Sequence, residues 1–225
     1  MKFAVLGTGA VGRAIAARLD ELDHDVAIGT RDPAVTRGRT EQDRMGNPPY
    51  AEWAAQRPGI RLASFADAAR DAEVIVNATN GGVSIEVLTL AGAENLAGKV
   101  LIDIANPLDF SRGMPPTLFV KDTDSLGEQI QRAFPAARVV KTLNTLTAAL
   151  MVRPDTLREG STVFVSGDDP EAKTLVATLL TKLGHTDVID LGDLSTARGT
   201  EMLLPIWLRL WGALGTAMFN VKVVR

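Results

Sequence analysis

Ten residues near the start of the chain restrict its fold more than any others. Phe3-Ala4-Val5-Leu6-Gly7-Thr8-Gly9-Ala10-Val11-Gly12 is a short apolar run broken by glycines spaced Gly-x-Gly-x-x-Gly. Apolar residues at helical spacing follow, from Val11 to Leu22. A strand that passes this abruptly into a helix needs glycine for separate reasons. Gly7 allows the tight turn, Gly9 lets a ligand approach a backbone without Cβ, and Gly12 lets the helix pack on the strand. The amides of Gly9, Ala10 and Val11 then face outward at the positive end of the helix dipole, where a pyrophosphate is bound. With Thr8 between the first two glycines, this strand–turn–helix context points to a dinucleotide-binding βα unit rather than a bare turn.

The rest of the chain repeats that alternation. Short apolar runs at 2–6, 25–29, 60–63, 73–79, 99–104, 138–143, 162–166 and 186–191 read as strands, with helical patterns such as Glu171 to Leu183 between most of them. Near-continuous apolar strands separated by helices predict a parallel sheet covered on both faces. Helix starts agree: Asp32-Pro33 and Asp169-Pro170 each place a cap before a proline, and Ser125 with Glu128 fits a capping box. The expected class is α/β, a Rossmann-type, doubly wound, mostly parallel sheet with a small C-terminal helical part. Residues 1–192 form the nucleotide-binding domain and 193–225 a helical segment packing on it. Two stretches interrupt the rhythm. Residues 36–59 form a long connection with a short helix near Ala51 to Gln56, and residues 106–124 carry three prolines and no clear period.

Composition narrows the chemistry. There are no cysteines and only 2 histidines, so thiolate nucleophiles, disulfides and Cys-based or His-rich metal sites are excluded. A net charge of −3 gives no reason to expect binding to nucleic acid. The most hydrophobic late stretch, 202–219, contains Pro205, Arg209 and two glycines, a poor membrane span. With no signal-peptide pattern at the start, the expectation is a cytoplasmic protein with a small-molecule partner.

The end of the second strand bears on which dinucleotide binds. An NAD site places an acid about 20 residues beyond the glycines, to hold the ribose 2′-hydroxyl. Here Val26-Ala27-Ile28-Gly29 runs into Thr30-Arg31-Asp32-Pro33. Asp32 has a competing role as helix cap. Thr30 and Arg31 hold the strand tip, and a hydroxyl beside a guanidinium suits a 2′-phosphate. NADP(H) is therefore expected over NAD(H).

The order GTGAVG, GTRDP, DIANPLDF, KTLNTL, VSGDDPEAK and VIDLGDLSTARGTEMLLP resembles the coenzyme F420-dependent NADP oxidoreductase family along nearly the whole chain. The resemblance implies hydride transfer between the nicotinamide C4 of NADPH and C5 of a deazaflavin, with coenzyme F420 or a flavin as co-substrate, and a homodimer. The cytosolic domains of transmembrane metalloreductases, which handle NADPH and flavin, are similar too. Carried over, the pyrophosphate contacts fall on Thr8, Gly9, Ala10 and Val11, within the Gly7–Gly12 turn. The 2′-phosphate contacts fall on Thr30 and Arg31, and the nicotinamide lies near Ala78, Thr79 and Asn80. Asn106 and Pro107, then Asn144, Thr145 and Leu146, line the same crevice. The chain also departs from the family. Archaeal members carry a His and a Pro after the sixth strand, where Asn144 and Thr147 stand here. They carry a Pro-Trp pair after the fourth strand, where this chain has Asn80-Gly81-Gly82. The NADP half therefore matches better than the acceptor half.

No side chain is assigned a catalytic role. Hydride transfer between two rings needs proximity and a dry cleft more than an acid. His24 and His185 both fall in helix-to-strand turns, which places them on the rim opposite the strand C-termini. Asp103, inside an apolar strand, requires a partner and is placed to hold the Asn106-Pro107 turn. Lys141 either reaches a ligand or lies on the sheet. Tyr50, the only tyrosine, lacks the Tyr-x-x-x-Lys context of short-chain dehydrogenases. Trp207 and Trp211 share one helix face, either as packing or as an aromatic wall over a ring. Two other readings stay open: an NADPH reductase of another small carbonyl or quinone, and a non-catalytic NADP(H)-sensing protein.

Overall fold

Strands Val74–Asn77 and Val100–Asp103 are buried at every position, as the centre of a sheet covered on both faces requires. The computed structural model describes residues 1–42 and 46–225, so part of the 36–59 connection lies outside the described residues. All eight runs read as strands are strands: β1 (Lys2–Leu6), β2 (Asp25–Thr30), β3 (Arg61–Ser64), β4 (Val74–Asn77), β5 (Val100–Asp103), β8 (Arg138–Thr142), β9 (Thr162–Gly167) and β10 (Asp187–Asp190). They form one sheet in the order β10-β9-β8-β5-β4-β1-β2-β3. The proline-bearing stretch holds a small antiparallel pair, β6 (Leu108–Asp109) and β7 (Thr117–Leu118).

Eleven α-helices are described: α1 (Ala10–Glu21), α2 (Pro33–Arg37), α3 (Tyr50–Ala55), α4 (Phe65–Asp71), α5 (Ser84–Ala91), α6 (Ala93–Leu96), α7 (Leu126–Ala133), α8 (Ala148–Val152), α9 (Pro170–Leu183), α10 (Ala197–Met202) and α11 (Leu204–Leu214). Alternate strand residues feed two cores. Phe3 and Val5 join Ile15 and Leu19 of α1, Leu150 of α8 and Val176 of α9 on one face. Ala4 and Leu6 join Ala68 of α4, Leu88 of α5 and Ile130 of α7 on the other. The helix starts use the predicted caps. Asp32 accepts from the amides of Ala34 and Val35, Ser125 from Glu128 and Asp169 from Ala172. Ser64 does the same for α4 through the Asp67 amide.

The sheet is not parallel throughout. β9 runs antiparallel to β8, with Val140 opposite Gly167 and Thr142 opposite Val165, and β10 is parallel to β9. After β8 the chain passes through α8 on the same rim and enters β9 from the end where β8 finishes. This reversal corrects one expectation. His24 does lie on the far rim, against the Phe3 ring at 5.0 Å. His185, before the reversed β10, lies instead on the rim where β1, β4, β5 and β8 end. It is buried there, with Nε2 bonded to the Met151 carbonyl at 3.0 Å, and burial pushes its pKa below the ordinary histidine value.

Candidate active site

The glycine turn has the geometry its spacing predicts. Gly7 adopts φ +121°, and a Cβ there would stand 2.6 Å from the Ala78 carbonyl oxygen. A Cβ on Gly12 would stand 2.1 Å from the Gly7 carbonyl oxygen. Gly9 differs, because a Cβ added to it meets nothing within 4 Å. Open space thus lies above the residue that precedes α1. The amides of Ala10 and Val11 belong to the first helical turn, which leaves them without intrahelical acceptors. Arg13, absent from the expected site, braces the turn by donating from Nε to the Thr8 carbonyl at 2.7 Å. A diphosphate fits this cradle.

Beside it, an open crevice of about 570 Å³ runs along the C-terminal ends of β1, β4, β5 and β8, where doubly wound sheets bind ligands. Of the expected residues, Ala10, Val11, Ala78, Thr79, Asn80, Asn106, Asn144 and Leu146 line it. Pro107 and Thr145 are buried beside it. Residues that sequence reasoning missed supply much of the wall, among them Phe110 and Met114 of the β6–β7 hairpin, Met151 of α8 and Leu204 of α11. Trp207 and Trp211 also line it, their rings 5.8 Å apart. Trp207 also packs on Phe219 at 5.3 Å. Among the described residues, the crevice lining contains no Asp, Glu, Lys, Arg or His.

The polar groups of the crevice are largely engaged with one another. Asn144 Nδ2 donates to Asn106 Oδ1 at 2.9 Å and to the Thr200 carbonyl at 3.1 Å, and Asn106 Nδ2 returns a bond to the Asn144 carbonyl. Thr79 Oγ1 donates to Asn77 Oδ1 at 2.6 Å. A Cβ on Gly81 would stand 2.0 Å from the Asn106 carbonyl oxygen. The turn after β4 is thus pressed against the exit of β5, which leaves no room for a side chain at position 81.

Lys141 does neither of the things its position suggested. It is fully buried, bonded to Asp103 Oδ2 and Glu201 Oε1 at 2.8 Å each and to the Ala105 carbonyl. Burial alone depresses its pKa, but the two carboxylates outweigh that and raise it, so the ammonium stays charged. Asp103 also accepts from the Ala105 amide at 3.2 Å, at the start of the turn it was expected to hold.

Thr30 and Arg31 stand at the tip of β2, outside the crevice lining. The Thr30 hydroxyl is buried and shares a 2.8 Å bond with Thr36. The exposed Arg31 guanidinium pairs with Glu86 of α5 at 2.6 Å.

Comparison with known proteins places this geometry. Residues 2–107 match the model of the family described as NADP oxidoreductase, coenzyme F420-dependent. Metalloreductase STEAP3 of Rattus norvegicus is 32% identical over 92% of this chain, but the chain spans only 38% of that protein. The F420-dependent NADP reductase of Methanocaldococcus jannaschii is 27% identical, over 93% of this chain and 92% of its own. A crystal structure from Arthrobacter sp. FB24, of a protein proposed to be an F420-dependent NADP reductase, is 63% identical with a TM-score of 0.97, covering 100% of both chains. The phosphate-loop geometry, the sheet order and this full-length likeness agree: the chain belongs to the coenzyme F420-dependent NADP oxidoreductase family.

Proposed function

We propose that the chain transfers a hydride between NADPH and a deazaflavin such as coenzyme F420, or a flavin-like ring. The observation that carries this reading is the uncharged crevice, with an anion cradle at one end and an aromatic wall along the other side. NADPH supplies a hydride at nicotinamide C4 when bound. The amides of Gly9, Ala10 and Val11, on the turn formed by Gly7, Thr8 and Gly12, hold its pyrophosphate. Thr30 and Arg31 take the 2′-phosphate, with Arg31 leaving Glu86 to do so. Ala78, Thr79 and Asn80 seat the nicotinamide, and Asn106, Pro107, Asn144, Thr145 and Leu146 form the floor between the two rings. Trp207 and Trp211 stack the acceptor and exclude water. No lining group transfers a proton, so these residues act by orientation and desolvation.

In this reading residues 1–192 hold the cofactor and 193–225 close the acceptor side. The protein works as a cytoplasmic homodimer, with exposed Ile206 and Leu214 of α11 offering apolar surface to a second copy. No helix among the described residues is long and apolar enough to cross a membrane. The test mixes protein and NADPH with oxidised deazaflavin, flavin mononucleotide or a neutral quinone and follows NADPH absorbance. Fastest loss with the deazaflavin supports the assignment, and fastest loss with the quinone favours the alternative reductase. Tight NADPH binding without turnover of any acceptor would replace both with a sensing role.

A further inference from the structure

The Lys141 ammonium has three N–H donors, and the structure occupies all of them. Asp103 Oδ2 closes β5, the Ala105 carbonyl lies in the turn leaving β5, and Glu201 Oε1 belongs to α10. Every oxygen of the two carboxylates is also paired. Asp103 Oδ1 accepts from Asn77 Nδ2 at 2.8 Å and from the Ala105 amide. Glu201 Oε2 accepts from the Leu126 amide at 2.9 Å, and Oε1 from the Gly127 amide at 3.1 Å. Three charges with a net of −1 are thus buried in a fully satisfied network. Such a network adds little stability over apolar packing, and its best-supported use is to specify one arrangement among similar ones.

The arrangement at stake is the crevice. Ala105 lines its floor, while Glu201 lies three residues before Leu204, where α11 begins and the far wall starts. The neighbouring Thr200 carbonyl is tied to the floor through Asn144. We propose that Lys141 is a positioning residue for the acceptor half of the crevice: through Glu201 it sets where α11, with Trp207 and Trp211, stands over the exit of β5. Apolar side chains would hold α10 down without fixing its register, because they make no directional bonds. The proposal rests on the reading of this crevice as the acceptor site.

Trp53 is the only other tryptophan, so a Trp53→Phe background makes fluorescence report α11 alone. In that background Glu201→Gln keeps one oxygen, for the Leu126 or the Gly127 amide, and weakens the hold on Lys141, and Lys141→Met removes it. The expected result for Glu201→Gln is a folded protein whose Trp207 and Trp211 emission is more open to iodide. A wall displaced by about 1 Å should raise the deazaflavin KM about tenfold or more. The NADPH Kd should move less than about twofold, as for an independent site. Lys141→Met should exceed both effects; if it does not fold, Glu201→Gln alone decides. A lower melting temperature with unchanged quenching and unchanged KM would overturn the proposal, as would KM and NADPH Kd rising together. Quenching is read on ligand-free protein, so a wild type that reduces no acceptor would refute the proposed function while the lock is still tested.

Discussion

The two ends of the crevice are built from different materials. The cradle end is backbone: three glycines, a helix start and amides, with its tight contacts made by main-chain carbonyls. The tryptophan end is built by side chains and their supports: two tryptophans, a reversed pair of strands, and a buried lysine between two carboxylates. A backbone site depends on residues a few positions apart and is encoded by local spacing. A side-chain site depends on elements separated by up to a hundred residues, such as Asp103 and Glu201, and is encoded only by the finished fold. The first should tolerate almost no substitution, and the second should be tunable.

The sharpest way to break this contrast is at the glycines. Gly12→Ala drives a Cβ into the Gly7 carbonyl at 2.1 Å, and with no flexible side chain to yield it should destabilise the fold by about 3 kcal/mol or more. Thermal melting with and without NADPH measures this. Gly9→Ala should separate binding from folding, because its Cβ enters open space. The melting temperature should hold while NADPH affinity falls about 10- to 100-fold, the loss of one or two charged hydrogen bonds. Unchanged affinity would remove the cradle from the mechanism.

At the rim of the same end, Arg31→Ala should raise the Kd for NADPH about 10- to 100-fold and leave that for NADH nearly unchanged. Equal losses would refute the 2′-phosphate assignment. Glu86→Gln frees the same guanidinium and should tighten NADPH binding about two- to threefold, the scale of an exposed ion pair.

The smallest effect lies behind the crevice wall, where His185 bonds the Met151 carbonyl. Burial holds the His185 pKa below its unfolded value, so the unfolded chain binds more protons and stability falls as pH drops below about 6.5. His185→Gln keeps a donor for the Met151 carbonyl and should flatten the His185 share of that slope, leaving the share from His24, whose pKa burial also lowers. Urea midpoints at pH 7 and pH 5.5 would show it.

The same contrast governs what could be read in advance. Every strand of the main sheet was legible, because central strands are apolar on both faces and end at turn residues. The cradle was legible because its spacing is its geometry. Strand direction was not, since an apolar run has no polarity along its length. The rim on which His185 falls depends on that direction, so the turn before β10 could not be assigned to a rim from the sequence. Trp207 and Trp211 were recognisable as one face of a helix, but spacing alone cannot tell a face toward the core from one toward a cleft. Lys141 stayed ambiguous because its partner Glu201 is 60 residues away.

The capping pattern has a consequence for where negative charge settles. The first-turn amides of α2, α4 and α7 are already engaged by Asp32, Ser64 and Ser125, and those of α7 by the Glu201 carboxylate as well. α1 opens on Gly9, which has no side chain to offer. A negative group arriving at α1 therefore evicts no side chain of the protein's own, whereas at α2, α4 or α7 it would first have to displace one.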